Sequence, residues 1–164
     1  MKTIRILAIA LLAVCAASCS KSFNEERAAQ LIDKLDNNGD TWTEEDDKEA
    51  YTLAIDYLDC YGEYIVKAAK KADSIQQYDE LLAEFSQANP SGGYLFTYAI
   101  YTYNPKYTEE LNDAIERFLE AQSEADDILE EKLGISEDDD PYSNFLEDEF
   151  GDDGTFIDFD EFIN

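Results

Sequence analysis

The sequence predicts an all-α protein, a bundle of four or five helices followed by an acidic tail. Three observations lead there. Segments with apolar residues at helical spacing open on Ser, Thr or Asp and close on Gly, Asn or Pro. The stretch 94–103 has the Tyr, Phe, Ile and Thr content of a strand, but no other stretch could pair with it, so its backbone is better satisfied as a buried helix. Basic residues stop at Lys132, and residues 134–164 carry twelve acids.

The elements follow in order. Ser22-Phe23-Asn24-Glu25 has the spacing of a capping box, with Ser22 as N-cap and Glu25 reaching back. The helix it opens puts Ala28, Leu31, Ile32 and Leu35 on one face, and Asp36-Asn37-Asn38-Gly39-Asp40 stops it. Thr43 caps a second helix whose first turn is acidic, at the positive end of the helix dipole. This helix runs to about Ala72. It carries two apolar stripes, one through Tyr51, Ile55, Leu58 and Ile65, the other through Ala54, Tyr57, Tyr61, Tyr64 and Ala68. Burial on two sides makes it the central helix. Gly62 within it costs about 1 kcal/mol relative to Ala and is suited to a close helix crossing.

Asp73 and Ser74 cap a third helix bearing Ile75, Tyr78, Leu82 and Phe85, which Asn89-Pro90-Ser91-Gly92-Gly93 should end. The buried helix 94–103 follows, and Asn104-Pro105 breaks the chain again. Thr108 then caps the last long helix, with a seam through Leu111, Ile115, Phe118, Gln122, Ala125 and Leu129. Lys132 lies in its last turn and Gly134 closes it. In the tail, Phe145, Phe150, Phe156, Phe159 and Phe162 interrupt the acids, so docking on the bundle or on a partner is expected there.

The N-terminus is of another kind. Lys2 and Arg5 precede an apolar run from Ile6 to Val14, then small residues Ala16-Ala17-Ser18, then Cys19. Charged, apolar and small regions in that order form a secretory signal, and the run is too short to span a bilayer. Cut directly before a cysteine, the pattern resembles the lipobox of bacterial lipoproteins, with Ala16 where that family usually has Leu. Cys15 is the poorer candidate, since branched Val14 precedes it. The resemblance covers residues 1–19 and implies a diacylglycerol on the Cys19 sulfur, a membrane held as partner through that lipid, and, from Ser20, sorting to the outer membrane. The expected organisation is a signal at 1–18, a lipidated tether at 19–22, a helical domain at 23–133 and the tail at 134–164.

Composition narrows the function. The chain has 39 acidic and 12 basic side chains, and the signal holds two of the bases and none of the acids. Such a charge repels nucleic acid and favours cations and basic partners. Histidine is absent, which removes Ser-His-Asp and Cys-His catalysis and the commonest zinc ligand. With Cys19 acylated, Cys60 has no second cysteine to bond with and should pack as a small apolar residue. Neither a phosphate-binding glycine loop nor a nucleophile elbow is present. The expectation is a non-catalytic interaction or structural domain with an envelope protein as partner.

Two alternatives attach to specific residues. Residues 36–46 resemble part of an EF-hand, and Asp36, Asn38, Asp40 and Glu45 are the candidate calcium ligands. The first ligand position, however, is Lys34, so a plain turn between capped helices accounts for the same residues. Residues 152–162 resemble the second half of such a loop with the last acid out of register, which leaves weak cation binding by the tail. Tyr94, Tyr98, Tyr101 and Tyr103 are candidates for lining a carbohydrate or peptide groove, because Tyr joins a stacking face to a hydroxyl. Lys67, Lys70 and Lys71 form a basic cluster that should offset acids on neighbouring helices.

Overall fold

A computed structural model describes residues 23–134, and these form an all-α bundle of five helices. Helix α1 is Glu25–Asn38, α2 is Glu44–Lys71, α3 is Ile75–Ala88, α4 is Pro90–Thr102 and α5 is Thr108–Leu133. A 3-10 turn, Gly39–Thr41, joins α1 to α2. The signal, Cys19 and the tail beyond Gly134 lie outside the described residues.

Helix α2 is the axis. At 28 residues it is about 42 Å long, and it contacts each of the other four helices. Its start is set by a complete capping box: the Thr43 hydroxyl accepts from the Asp46 N–H, and Asp46 Oδ2 accepts from the Thr43 N–H at 2.8 Å. Helices α3 and α4, of 14 and 13 residues, run back along α2 almost end to end with Asn89 between them. Phe85 lies beside Tyr61, Gly92 beside Tyr57, and Ala99 beside Tyr51. Helix α5 is therefore parallel to α2, as the pairs Tyr51–Tyr107, Asp59–Arg117 and Lys70–Glu124 show. Both stripes of α2 are used. Tyr51, Leu58 and Ile65 are buried, and so are Ala54, Tyr57, Tyr64 and Ala68.

Gly62 marks the crossing with α5: a Cβ there would stand 3.3 Å from Ala121 Cβ and 3.8 Å from Phe118 Cα. The α5 C-terminus closes with Gly134 in the left-handed region at φ +67, while Lys132 Nζ donates to the carbonyls of Lys70 and Ala72 at the end of α2.

Four local expectations need correction. Asn24, and not Ser22, caps α1, with its side chain accepting from the Arg27 N–H; Ser22 itself lies outside the described residues. Glu25 does not reach back to close a box. Its carboxylate accepts from the Ser91 N–H and hydroxyl, tying α1 to the first turn of α4. Residues 90–93 do not form a loop but begin α4. Pro90 sits at the first helical position, where its missing N–H costs nothing, and Gly92 is accepted because the Tyr57 ring occupies the space of its absent side chain. Segment 94–103 is helical to Thr102, but it is buried on one face only, at Leu95 and Ala99. Finally, Tyr107 occupies the N-cap of α5, and the Thr108 hydroxyl donates to the Asn104 carbonyl instead of capping.

Candidate functional site

Helix α4 buries Leu95 and Ala99, four residues apart, and leaves Tyr94, Thr97 and Tyr101 exposed. Tyr94, Thr97, Tyr98 and Tyr101, at helical spacing, line a shallow open groove together with Pro90 and Gly93. The degree of exposure differs along the row. Tyr98 is half-buried, Tyr94 is 46% exposed and Tyr101 is 84% exposed. Tyr103 is separate. It ends the helix in the left-handed region at φ 38, is 44% exposed and does not line the groove.

Tyr98 is the fixed member. Its hydroxyl donates to Asp47 Oδ1 at 2.7 Å, and its ring meets Trp42 edge-on with centroids 5.6 Å apart. Burial, then the bond to Asp47, raises the pKa of this phenol well above the ordinary range. Asp47 is held in turn by Asn104, whose side-chain amide donates to Oδ2 at 2.6 Å. The Asn104 N–H donates to the Tyr51 hydroxyl, which donates to the Ala99 carbonyl at 2.8 Å. The end of α4 is thus tied to α2 by a continuous polar chain. Tyr94 is held more lightly, its hydroxyl donating to Asp36 Oδ1 at 3.2 Å, and the Asp36 charge raises its pKa. These phenols stay protonated near neutrality and serve as donors and stacking faces. With two carboxylates beneath, the surface suits neutral or cationic groups and repels anions.

The remaining candidates are placed as follows. Asp36, Asp40 and Glu45 are exposed, and the side chain of Asn38 lies outside the described residues. Among the described residues, no three His, Cys, Asp or Glu side chains gather in a group able to hold a metal ion. Lys34, at the first position of the calcium-loop pattern, pairs with Asp46 at 2.6 Å. The hydrogen bond from Lys34, reinforced by Thr43, lowers the Asp46 pKa to about 2. Cys60 is 3% exposed within α2. Two members of the basic cluster are offset by acids, Lys67 by Glu63 and Lys70 by Glu124.

Sequence reasoning missed Asp47, Asn104 and Trp42 as parts of this surface. Asp47 is one of four consecutive acids, Glu44–Asp47, and nothing in that run singles it out. The signal for Asn104 was its place before Pro105, which marks a chain turn but not a partner.

Compared with known protein families, with curated proteins and with solved structures, the chain matches none. Among the described residues no helix is long and apolar enough to cross a membrane.

Proposed function

We propose that this is a lipid-anchored protein of the bacterial outer membrane, moored through Cys19, whose helical domain is a non-catalytic contact module for an envelope protein. One observation carries the reading: the order of charge, apolar run, Ala16-Ala17-Ser18 and Cys19 at the N-terminus. Two or more acyl chains on one residue hold a soluble body stably at a membrane. The described helices are consistent with that role, since none would need to enter the bilayer. The test is metabolic labelling with a clickable palmitate in a Gram-negative host. The wild-type chain should be labelled and sediment with membranes, and Cys19→Ser should lose both. Labelling that survives Cys19→Ser overturns the proposal.

A second reading is favoured by the exposure of Tyr101 beside Tyr94 and Tyr98. Such a row of phenols can stack on the C–H faces of sugar rings, which makes the module a carbohydrate binder. Titration of neutral oligosaccharides followed by NMR should shift the Tyr94 and Tyr101 ring signals. Tyr101→Ala should abolish the effect with the helical circular dichroism unchanged, because that side chain contributes little to the core. Binding that persists in Tyr101→Ala counts against the groove as its location.

A further inference from the structure

A second groove runs between α2 and α5, on a different side of the central helix from the tyrosine row. Val66, Phe118 and Ala121 form its apolar part, over the crossing that Gly62 makes possible. Its rim holds Lys67, Lys70 and Arg117. This is an unusual concentration for this molecule, because residues 23–134 contain 27 acids and nine bases in all. The three cations face Glu63, Glu124 and Asp59 at 3.2, 3.0 and 2.8 Å. The Lys67–Glu63 and Lys70–Glu124 pairs are largely solvent-exposed, and ion pairs of that kind contribute little, so an incoming carboxylate can exchange with Glu63 or Glu124 at small cost, whereas Arg117 stays with the more buried Asp59 and adds its charge to the rim.

The chain carries a segment of matching chemistry. Thr155-Phe156-Ile157-Asp158-Phe159-Asp160-Glu161-Phe162 sets three aromatic rings three residues apart, with three acids among them. That spacing suits an apolar face laid into a groove, with the acids left for the rim. Reach is ample. Ala121 lies 13 residues of helix before Gly134, about 20 Å, whereas the 22 residues from Gly134 to Phe156 can span up to about 75 Å. Attachment to the same chain also gives the segment a high effective concentration at the groove. The tyrosine groove is a poorer match, because among the described residues no cation lines it to offset Asp36 and Asp47, which hold its phenols.

From this match we infer that residues 155–162 of the protein's own C-terminal tail dock in the α2–α5 groove, with Phe156, Phe159 and Phe162 on Val66, Phe118 and Ala121 and the acids toward Lys67, Lys70 and Arg117. The groove is then a self-binding site. The inference does not depend on the lipid anchor or on the carbohydrate reading.

The experiment uses the full mature chain with Cys19→Ser, Cys60→Ala and Thr155→Cys, a nitroxide on the new thiol and isotope-labelled methyl groups. The Val66 and Ala121 methyl signals should lose more than half their intensity, and those of Leu95 and Ala99 should lose little. Phe156→Ala with Phe159→Ala and Phe162→Ala should restore the signals, and so should Lys67→Glu with Lys70→Glu and Arg117→Glu. Raising salt from about 0.05 to about 0.5 M should restore them in part. Unchanged Val66 and Ala121 signals overturn the inference, as does broadening confined to the Tyr94–Tyr101 face or insensitive to loss of the three rings. Mixing separately spin-labelled and isotope-labelled molecules sorts the remaining case. Broadening that appears only between molecules assigns the groove to a second copy and overturns docking within one chain.

Discussion

Around the first half of α2 three helices close in; around the second half two do, α3 and α5. Tyr51, Ala54 and Leu58 lie in one continuous core with Leu31 of α1, Leu95 and Ala99 of α4, and Leu111 and Ala114 of α5. Further along, Ile65 and Ala69 meet Ala125 and Leu129, while Tyr64 and Ala68 meet Leu81 of α3. The Tyr51 hydroxyl has three neighbours within hydrogen-bonding distance, the Ala99 carbonyl, Thr102 Oγ1 and the Asn104 N–H, and the Tyr64 hydroxyl donates to the Leu81 carbonyl at 3.0 Å. One helix therefore has a half enclosed by three neighbours and a half held between two, where Tyr61 stacks on Phe85 and Phe118. Stability should be uneven along it, with amides near Tyr51 exchanging more slowly than those near Ala69.

The sharpest way to break this contrast is to hollow out each half. Leu95→Ala should cost about 4 kcal/mol and Leu129→Ala about 2, measured by chemical denaturation. Equal losses would mean that the two halves are equally well packed.

Glycine substitutions come next. In Gly92→Ala the new Cβ would lie 2.0 Å from Tyr57 Cδ2 and 2.5 Å from Cγ, so the buried ring must move, at a cost of about 2 kcal/mol. Gly62→Ala meets Ala121 Cβ at 3.3 Å, and the gain in helix propensity of about 1 kcal/mol should leave the net change near zero. Thermal melts of the two variants test the difference.

Removing hydroxyls sharpens the comparison further. Tyr51→Phe should lose about 2 kcal/mol, because the Asn104 N–H is left without its acceptor, and Tyr64→Phe about 1.

The smallest effect is on acid stability. The Asp46 carboxyl, lowered to about 2 in the folded state, has an ordinary value of about 3.9 when unfolded. Its contribution is complete above about pH 4 and is lost as the pH falls toward about 2. Lys34→Met removes the largest cause of the shift, so stability should fall less steeply with decreasing pH in that window than it does in the wild type.

The elements that could be read from the chain alone are those whose signals are local. Thr43 before an acidic first turn, Ser74 before Ile75, and Gly134 after Lys132 each act within one helical turn, and all three sit where expected. The role of Gly62 was also legible, since a glycine between two apolar stripes leaves room for a crossing helix. What could not be read depended on distant partners. Asn89-Pro90-Ser91-Gly92-Gly93 has the composition of a turn, and the Tyr57 ring against Gly92, with Glu25 on Ser91, makes it the first turn of a helix. The fully covered residue of α3 is Leu81, which its chosen stripe of Ile75, Tyr78, Leu82 and Phe85 passed over. At the candidate surface, helical spacing brought Tyr94, Tyr98 and Tyr101 together on the page as in the fold. It was silent on Asp47, whose value to Tyr98 exists only once α2 and α4 are side by side.

Trp42 has a practical consequence. It is the chain's one tryptophan, and its indole N–H is buried beside Tyr98, whose ring the indole meets edge-on. Emission from an indole so shielded from water should be blue-shifted, and it should respond to whatever seats on the neighbouring phenols. The molecule thus carries its own optical probe at the tyrosine groove.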